Sequence, residues 1–135
     1  MIEKYSDPIS AGLLLLVAVA HAVPAAAFFD ADLLQVFYGV AADDASLEIL
    51  LRHRALLFAI VAGILALGAL RPAYRGLALT TGWLSIATFI YLATATSETN
   101  ALIDRVVFAD VGLAVALAIA TGLSVAGGGR RIPAS

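Results

Sequence analysis

Leu47–Leu70 reads LEILLRHRALLFAIVAGILALGAL, with every charge confined to its first eight positions. The hydrocarbon core of a bilayer is about 30 Å thick, and about 20 helical residues cross it. This stretch is long enough to be a membrane span. Pro8–Phe29, Gly76–Ser97 and Ala101–Ala126 meet the same criterion. The expected fold is all-α: a polytopic membrane protein built as an antiparallel four-helix transmembrane bundle, with residues 1–135 forming one domain.

Composition points the same way. The chain is 62% hydrophobic and 13% charged, where soluble domains carry about 25% charged residues. A net charge of −2 without a basic stripe gives nucleic acid no footing as a partner. Cysteine is absent, which excludes disulfides, thiolate chemistry and Cys-ligated zinc or iron–sulfur centres. No cofactor is expected. In the first span, Leu13–Ala20 followed by Ala25–Ala27 has the shape of a signal-peptide core with a small-residue cleavage site. The residues before it include Glu3, Lys4 and Asp7 and are not clearly positive, so retention as a span is expected.

With four spans, both termini and the middle loop share one side. That side holds Lys4, Arg71, Arg75, Arg130 and Arg131; the other holds Arg52, Arg54 and Arg105 together with most of the acids. Basic residues in short loops stay cytoplasmic, so both termini are expected in the cytoplasm of a cell whose inner membrane holds the protein.

Local signals give the ends of the elements. Pro8 suits a first helical turn, and Pro24 should kink the first span or end its regular bonding. Between Asp30 and Tyr38 a short interfacial helix is expected, capped by Asp30. Its Leu33, Leu34, Val36 and Phe37 would lie in the interface and Tyr38 at headgroup depth, and Gly39 would end it. Asp44 or Ser46 can cap the second span, and Arg71-Pro72 should terminate it. The turn Pro72–Gly76 is short enough to make the second and third spans a hairpin. Thr80, Thr81, Ser85, Thr88 and Thr94 on the third can bond within or between helices. Trp83 and Tyr91 serve either as interface belt or as packing. Thr99 or Asn100 can cap the fourth span, and Gly127–Gly129 with Arg130–Arg131 reads as a tail with a cytoplasmic anchor.

The chemistry sits near the outer ends, in Glu48, Arg52, His53, Arg54, Arg105 and Asp110. Ionisable groups within a span are costly; they face the bundle interior and pair. Glu48 and Arg52 are spaced i,i+4 with the acid first, the favourable order. Arg52 shares a stripe with Ala55, Ala59, Gly63 and Ala66, and small stripes permit close helix approach. Arg52 is therefore expected to face inward. Arg54, about 200° further round, is expected to snorkel to the headgroups. Asp110 heads a small stripe through Ala114, Ala118 and Gly122. It is expected to pair with Arg52, or failing that with His53; His21 is the remaining inward candidate. The expected ligand-binding set is thus Arg52, Asp110, Glu48, His53 and His21. Two readings stay open: the Glu48–Arg52–Asp110 cluster locks the bundle's register, or it holds a ligand. A metal site from His21, His53, Glu48 and Asp110 is disfavoured, since no His-x-x-x-His or Glu-x-x-His spacing occurs. No nucleotide, phosphate-loop or serine-hydrolase motif occurs, so no catalytic residue is assigned.

Tyr38-Gly39-Val40, Leu51–Phe58 (LRHRALLF), Arg71-Pro72 and Arg105–Asp110 (RVVFAD) resemble a group of small four-span bacterial membrane proteins of unassigned function, over about residues 38–112. Members sometimes carry the name phosphopantetheine adenylyltransferase. The true enzyme resembles a soluble nucleotidyltransferase with a His-x-Gly-His motif, which this chain lacks. The resemblance implies architecture and a shared Arg-His-Arg/Asp pattern without chemistry. The expected function is that of a small membrane binding or accessory protein, whose outer-leaflet cavity takes an amphipathic ligand, a lipid or a partner's polar group. The alternatives are a small oligomeric transporter or channel, and an intramembrane enzyme using His21 or Asp110 on a lipidic substrate. The expected partners are the lipid bilayer, a lipidic or amphipathic small molecule, and a second copy or a larger membrane complex.

Overall fold

Four helices long and apolar enough to cross a membrane dominate the computed structural model, making this a multi-pass membrane protein. Residues 2–41 and 43–128 are described, with side chains for 7–41 and 43–127. The order is α1 (Ile2–Ala25), α2 (Asp32–Tyr38), α3 (Ala45–Leu70), α4 (Arg75–Ala95) and α5 (Ala101–Gly128), with no strand among the described residues. Each long helix packs against two others, in the ring α1–α3–α4–α5, so that α1 and α4 lie across one diagonal and α3 and α5 across the other. The start of α1, the end of α5 and the α3–α4 turn mark one end of the bundle, here the turn end. The α1–α3 connection and the α4–α5 loop mark the other, the plug end.

Most boundaries follow from the local chemistry. Beyond Pro24 the α-helix stops at Ala25 and tightens into a 3₁₀ turn over Ala26–Phe28. Asp44 caps α3, its Oδ1 accepting from the Ser46 and Leu47 amides at 2.9 and 3.0 Å. Arg71 leaves the helical region before Pro72, and a 3₁₀ turn over Pro72–Tyr74 leads straight into α4. Asn100 caps α5, accepting from Leu102 and Ile103. Two ends differ from expectation. The first helix begins at Ile2 rather than at Pro8, which lies inside it. At the other terminus α5 continues through Gly127 and Gly128; the expected anchor Arg130–Arg131 lies outside the described residues, as do the side chains of Glu3 and Lys4.

The short helix α2 is a larger departure. Leu34 and Tyr38 are only 2% and 7% exposed. Together with Ala27 and Ala55 they form a cluster that Phe28, Leu33, Phe37, Leu51, Ile103 and Val106 complete. The helix is thus a plug in the bundle mouth; Val36 alone among its larger apolar residues stays well exposed. Gly39 ends it at φ 65°, a left-handed conformation that glycine adopts without steric cost. The Asn100 amide then donates to the Tyr38 carbonyl at 2.8 Å, tying the plug to the start of α5.

At the turn end the core interleaves aliphatic side chains with small residues. Leu14, Val17, Leu65, Ala69, Ala78, Ile86, Leu117 and Ala120 belong to one buried cluster. Gly68 sits so close to α4 that a Cβ there would collide with Ala78 and meet the Tyr74 carbonyl at 3.2 Å. Gly82 receives Leu117 and Leu65. Without a hydrophobic force between helices in lipid, such close approach and interhelical bonds provide the attraction. Trp83 donates to Thr121, Ser10 bonds to Ser124, and Asp7 pairs with Arg75 at 2.6 Å across the α1–α4 diagonal. Trp83 is thereby a packing residue.

Candidate functional site: a half-polar cavity under the plug

Toward the plug end the four helices and α2 line a partly open cavity of about 740 Å³. Its origin lies in side-chain size. Phe58 and Arg54 on α3, Phe89 on α4 and Phe37 and Tyr38 on α2 line it, where at the turn end Gly68 and Gly82 let neighbouring helices close up. On α4 no residue after Ile86 is fully buried, and on α5 none before Ala116; Ile90, Leu113, Ile103 and Val106 pack only in part, and the rest of this stretch faces the cavity or the outside.

Several polar groups line the cavity. His21 is 4% exposed. Its Nδ1 lies 2.9 Å from the Val17 carbonyl, which can only accept, so the proton sits on Nδ1. Nε2 of the neutral ring then accepts from the Ser85 hydroxyl at 3.0 Å, across the α1–α4 diagonal. Thr88 and Thr94 bond back to the carbonyls of Leu84 and Ile90 in their own helix; Ser85 is diverted from that habit by the histidine. Phe58 meets the imidazole edge-on, with ring centroids 5.9 Å apart.

Arg54 lies among three rings, its guanidinium carbon 5.1 Å from the centroid of Tyr38, 5.0 Å from Phe58 and 5.7 Å from Phe89. Such contacts favour a desolvated cation by about 2 kcal/mol or more. They leave its five N–H donors unused: among the described residues Arg54 has no hydrogen-bond acceptor and no ion pair, the two ion pairs there being Glu48–Arg52 and Asp7–Arg75. Asp110, on the diagonally opposite α5, lines the same cavity and is likewise without a donor among the described residues. Burial pushes the Tyr38 phenol above its usual value; Arg54 opposes the rise and Asp110 adds to it. The three groups thus share one electrostatic environment. Arg105 and Thr99 stand among the lining residues as well.

The expected site residues therefore divide. His21 and Asp110 do line the cavity. Glu48, Arg52 and His53 are not among its lining residues, and the expected Arg52–Asp110 pair does not form. Arg52 instead donates from Nη1 to Glu48 at 2.9 Å and from Nε to the Phe28 carbonyl at 2.9 Å. That carbonyl ends the 3₁₀ turn after α1 and would otherwise lack an intrahelical donor. Arg52 is a latch between α1 and α3, and His53 is exposed on the rim. The exchange of Arg52 for Arg54 has a simple cause. The buried side of α3 runs through Ala55, Ala62, Leu65, Gly68 and Ala69, and Ala59 and Gly63 are exposed. Two small-residue stripes run along this helix, and the inward one is that of Arg54. Likewise Ala118 and Gly122 are exposed, and the inward face of α5 runs from Asp110 through Leu113 to Leu117 and Ala120. Sequence reasoning also missed Tyr38 and Ser85 as cavity groups; the α2 plug, which no span pattern reveals, supplies the first. Among the described residues no three His, Asp or Glu side chains gather as metal ligands would.

Comparison with protein-family models, with curated proteins and with solved structures yields no match.

Proposed function

We infer that this is a small membrane binding protein whose cavity takes the polar head of an amphipathic molecule, with Arg54 as the principal contact. One observation carries the reading: a guanidinium with no protein acceptor among the described residues faces a cavity of about 740 Å³. A charge held inside a membrane protein is costly unless something compensates it. An anionic or strongly accepting head supplies what the protein withholds. The apolar walls, with Leu57, Val61 and Leu113 among them, suit the molecule's hydrocarbon part. The distribution of Lys and Arg favours cytoplasmic termini in a bacterial inner membrane, with the plug end outside. That placement also accords with the family resemblance. Native mass spectrometry of the detergent-purified protein tests the binding. The wild type should retain amphiphile adducts, and Arg54→Met should lose them while keeping its helical circular dichroism. Equal retention by both would remove Arg54 from the site.

The Ser85–His21 pair favours a second reading, an intramembrane acyl hydrolase. Ser85 would attack the carbonyl of an ester as His21 Nε2 takes the hydroxyl proton and later returns it to the leaving alkoxide, and water would release the acyl group. A fluorophosphonate should then label Ser85 in the wild type and not in His21→Gln. An unlabelled wild type would leave the pair as a clamp between α1 and α4.

A further inference from the structure

We propose that the head bound in the cavity is zwitterionic, an ammonium joined to a phosphate, and that its source is a bilayer phospholipid of the phosphatidylethanolamine type. The inference rests on the binding reading above and goes further by assigning the second charge. Arg54 and Asp110 carry opposite signs and line one cavity, yet they do not pair. They project from α3 and α5, the helices on one diagonal of the ring, which do not pack against each other as ring neighbours do. The aromatic residues Phe58 and Phe89 stand beside Arg54 and hold the guanidinium in place. The two charges are thus kept apart by the framework, and each lacks its partner.

A purely anionic head would satisfy Arg54 and set a second negative charge near Asp110. A purely cationic head would do the reverse. A head with both charges completes both sites: its phosphate oxygens accept from the Arg54 fork, and its N–H groups donate to the Asp110 carboxylate. Arg105, exposed on α5 before Asp110, is a second cation among the lining residues. The walls favour a lipid over a soluble head. The lining is mostly apolar, and α4 beyond Ile86 and α5 before Ala116 hold no fully buried residue, so this wall suits acyl chains continuous with the surrounding lipid.

The test is a competition on the intact wild-type chain in detergent, read by native mass spectrometry. The probes are phosphatidylethanolamine, phosphatidic acid with the same acyl chains, and free O-phosphoethanolamine. Phosphatidylethanolamine should be retained about tenfold over phosphatidic acid, the size expected of one charge-assisted hydrogen bond. Asp110→Asn should reduce that preference to near unity, and free O-phosphoethanolamine should displace nothing. Phosphatidic acid retained equally or better by the wild type would overturn the zwitterion and leave the binding reading intact. Displacement by free O-phosphoethanolamine would overturn the lipid source. Retention of neither lipid would sink both readings together. Because the deciding comparison uses the wild type, a misfolded variant does not blur it.

Discussion

The two ends of this bundle are made from the same four helices and have opposite interiors. At the turn end Gly68 and Gly82 admit Ala78 and Leu117, and the helices close on one another. At the plug end Arg54, Phe58 and Phe89, with Tyr38 from α2, line the space between the helices, and a cavity remains. In lipid, burying apolar surface between helices gains little, because the acyl chains are equally apolar. Closeness of fit decides where helices meet. Small residues therefore make the structural half, and large or polar ones hold open the half that can accommodate a guest.

This contrast can be broken in several ways. Leu117→Ala, in the dense half, should cost about 2–4 kcal/mol through lost contacts with α4 and α3; reversible unfolding of the detergent-solubilised protein by dodecyl sulfate measures it. If that substitution proves neutral, the turn end is not tightly packed. Gly68→Ala should cost about 1–3 kcal/mol, since the added methyl meets Ala78 and backbone rather than a flexible side chain. Gly112→Ala on α5, where a Cβ meets nothing within 4 Å, should instead be neutral or stabilise by up to about 1 kcal/mol. A matching loss at both glycines would erase the distinction between the halves. At the plug end Asn100→Ala removes a helix cap and the tie to Tyr38 at once. It should cost about 1–2 kcal/mol and speed amide hydrogen exchange in Asp32–Gly39 more than in Leu113–Thr121. The smallest effect belongs to Glu48→Gln. Its ion pair with Arg52 is over a third exposed on both sides, so the loss should stay below about 1 kcal/mol, with lipid retention unchanged. A large loss of bound amphiphile in Glu48→Gln would return the Glu48–Arg52 pair to the site.

The latch and the cavity arginine make the same point at closer range. Arg52 and Arg54 are two residues apart and face opposite sides of α3. Arg52 satisfies a helix-end carbonyl and a neighbouring carboxylate, and has donors committed to both. Arg54 is held by aromatic rings and commits none of its donors to a described residue. The first arrangement serves the fold and the second leaves chemistry to spare.

Much of this was legible in the residues alone. The length and apolarity of the four spans require a polytopic bundle, because a backbone in hydrocarbon must satisfy its own hydrogen bonds. The ends at Pro24, Gly39, Asp44, Arg71 and Asn100 follow from local stereochemistry and capping. The inward placement of His21 and Asp110 could also be read, since lone polar groups in such spans turn from lipid. The rotation of α3 about its own axis could not. A membrane helix is apolar on every side, so no amphipathic stripe marks its inner face, and α3 carries two small-residue stripes of similar appearance. Only the fit of Gly68 and Ala69 against α4, together with the folding of α2 into the mouth, selects the face that bears Arg54. Sequence alone determined that the chain crosses the membrane four times and which residues carry charge there. Tertiary packing decided which arginine meets the cavity, because contact between helices is a property of two surfaces and cannot be read from one.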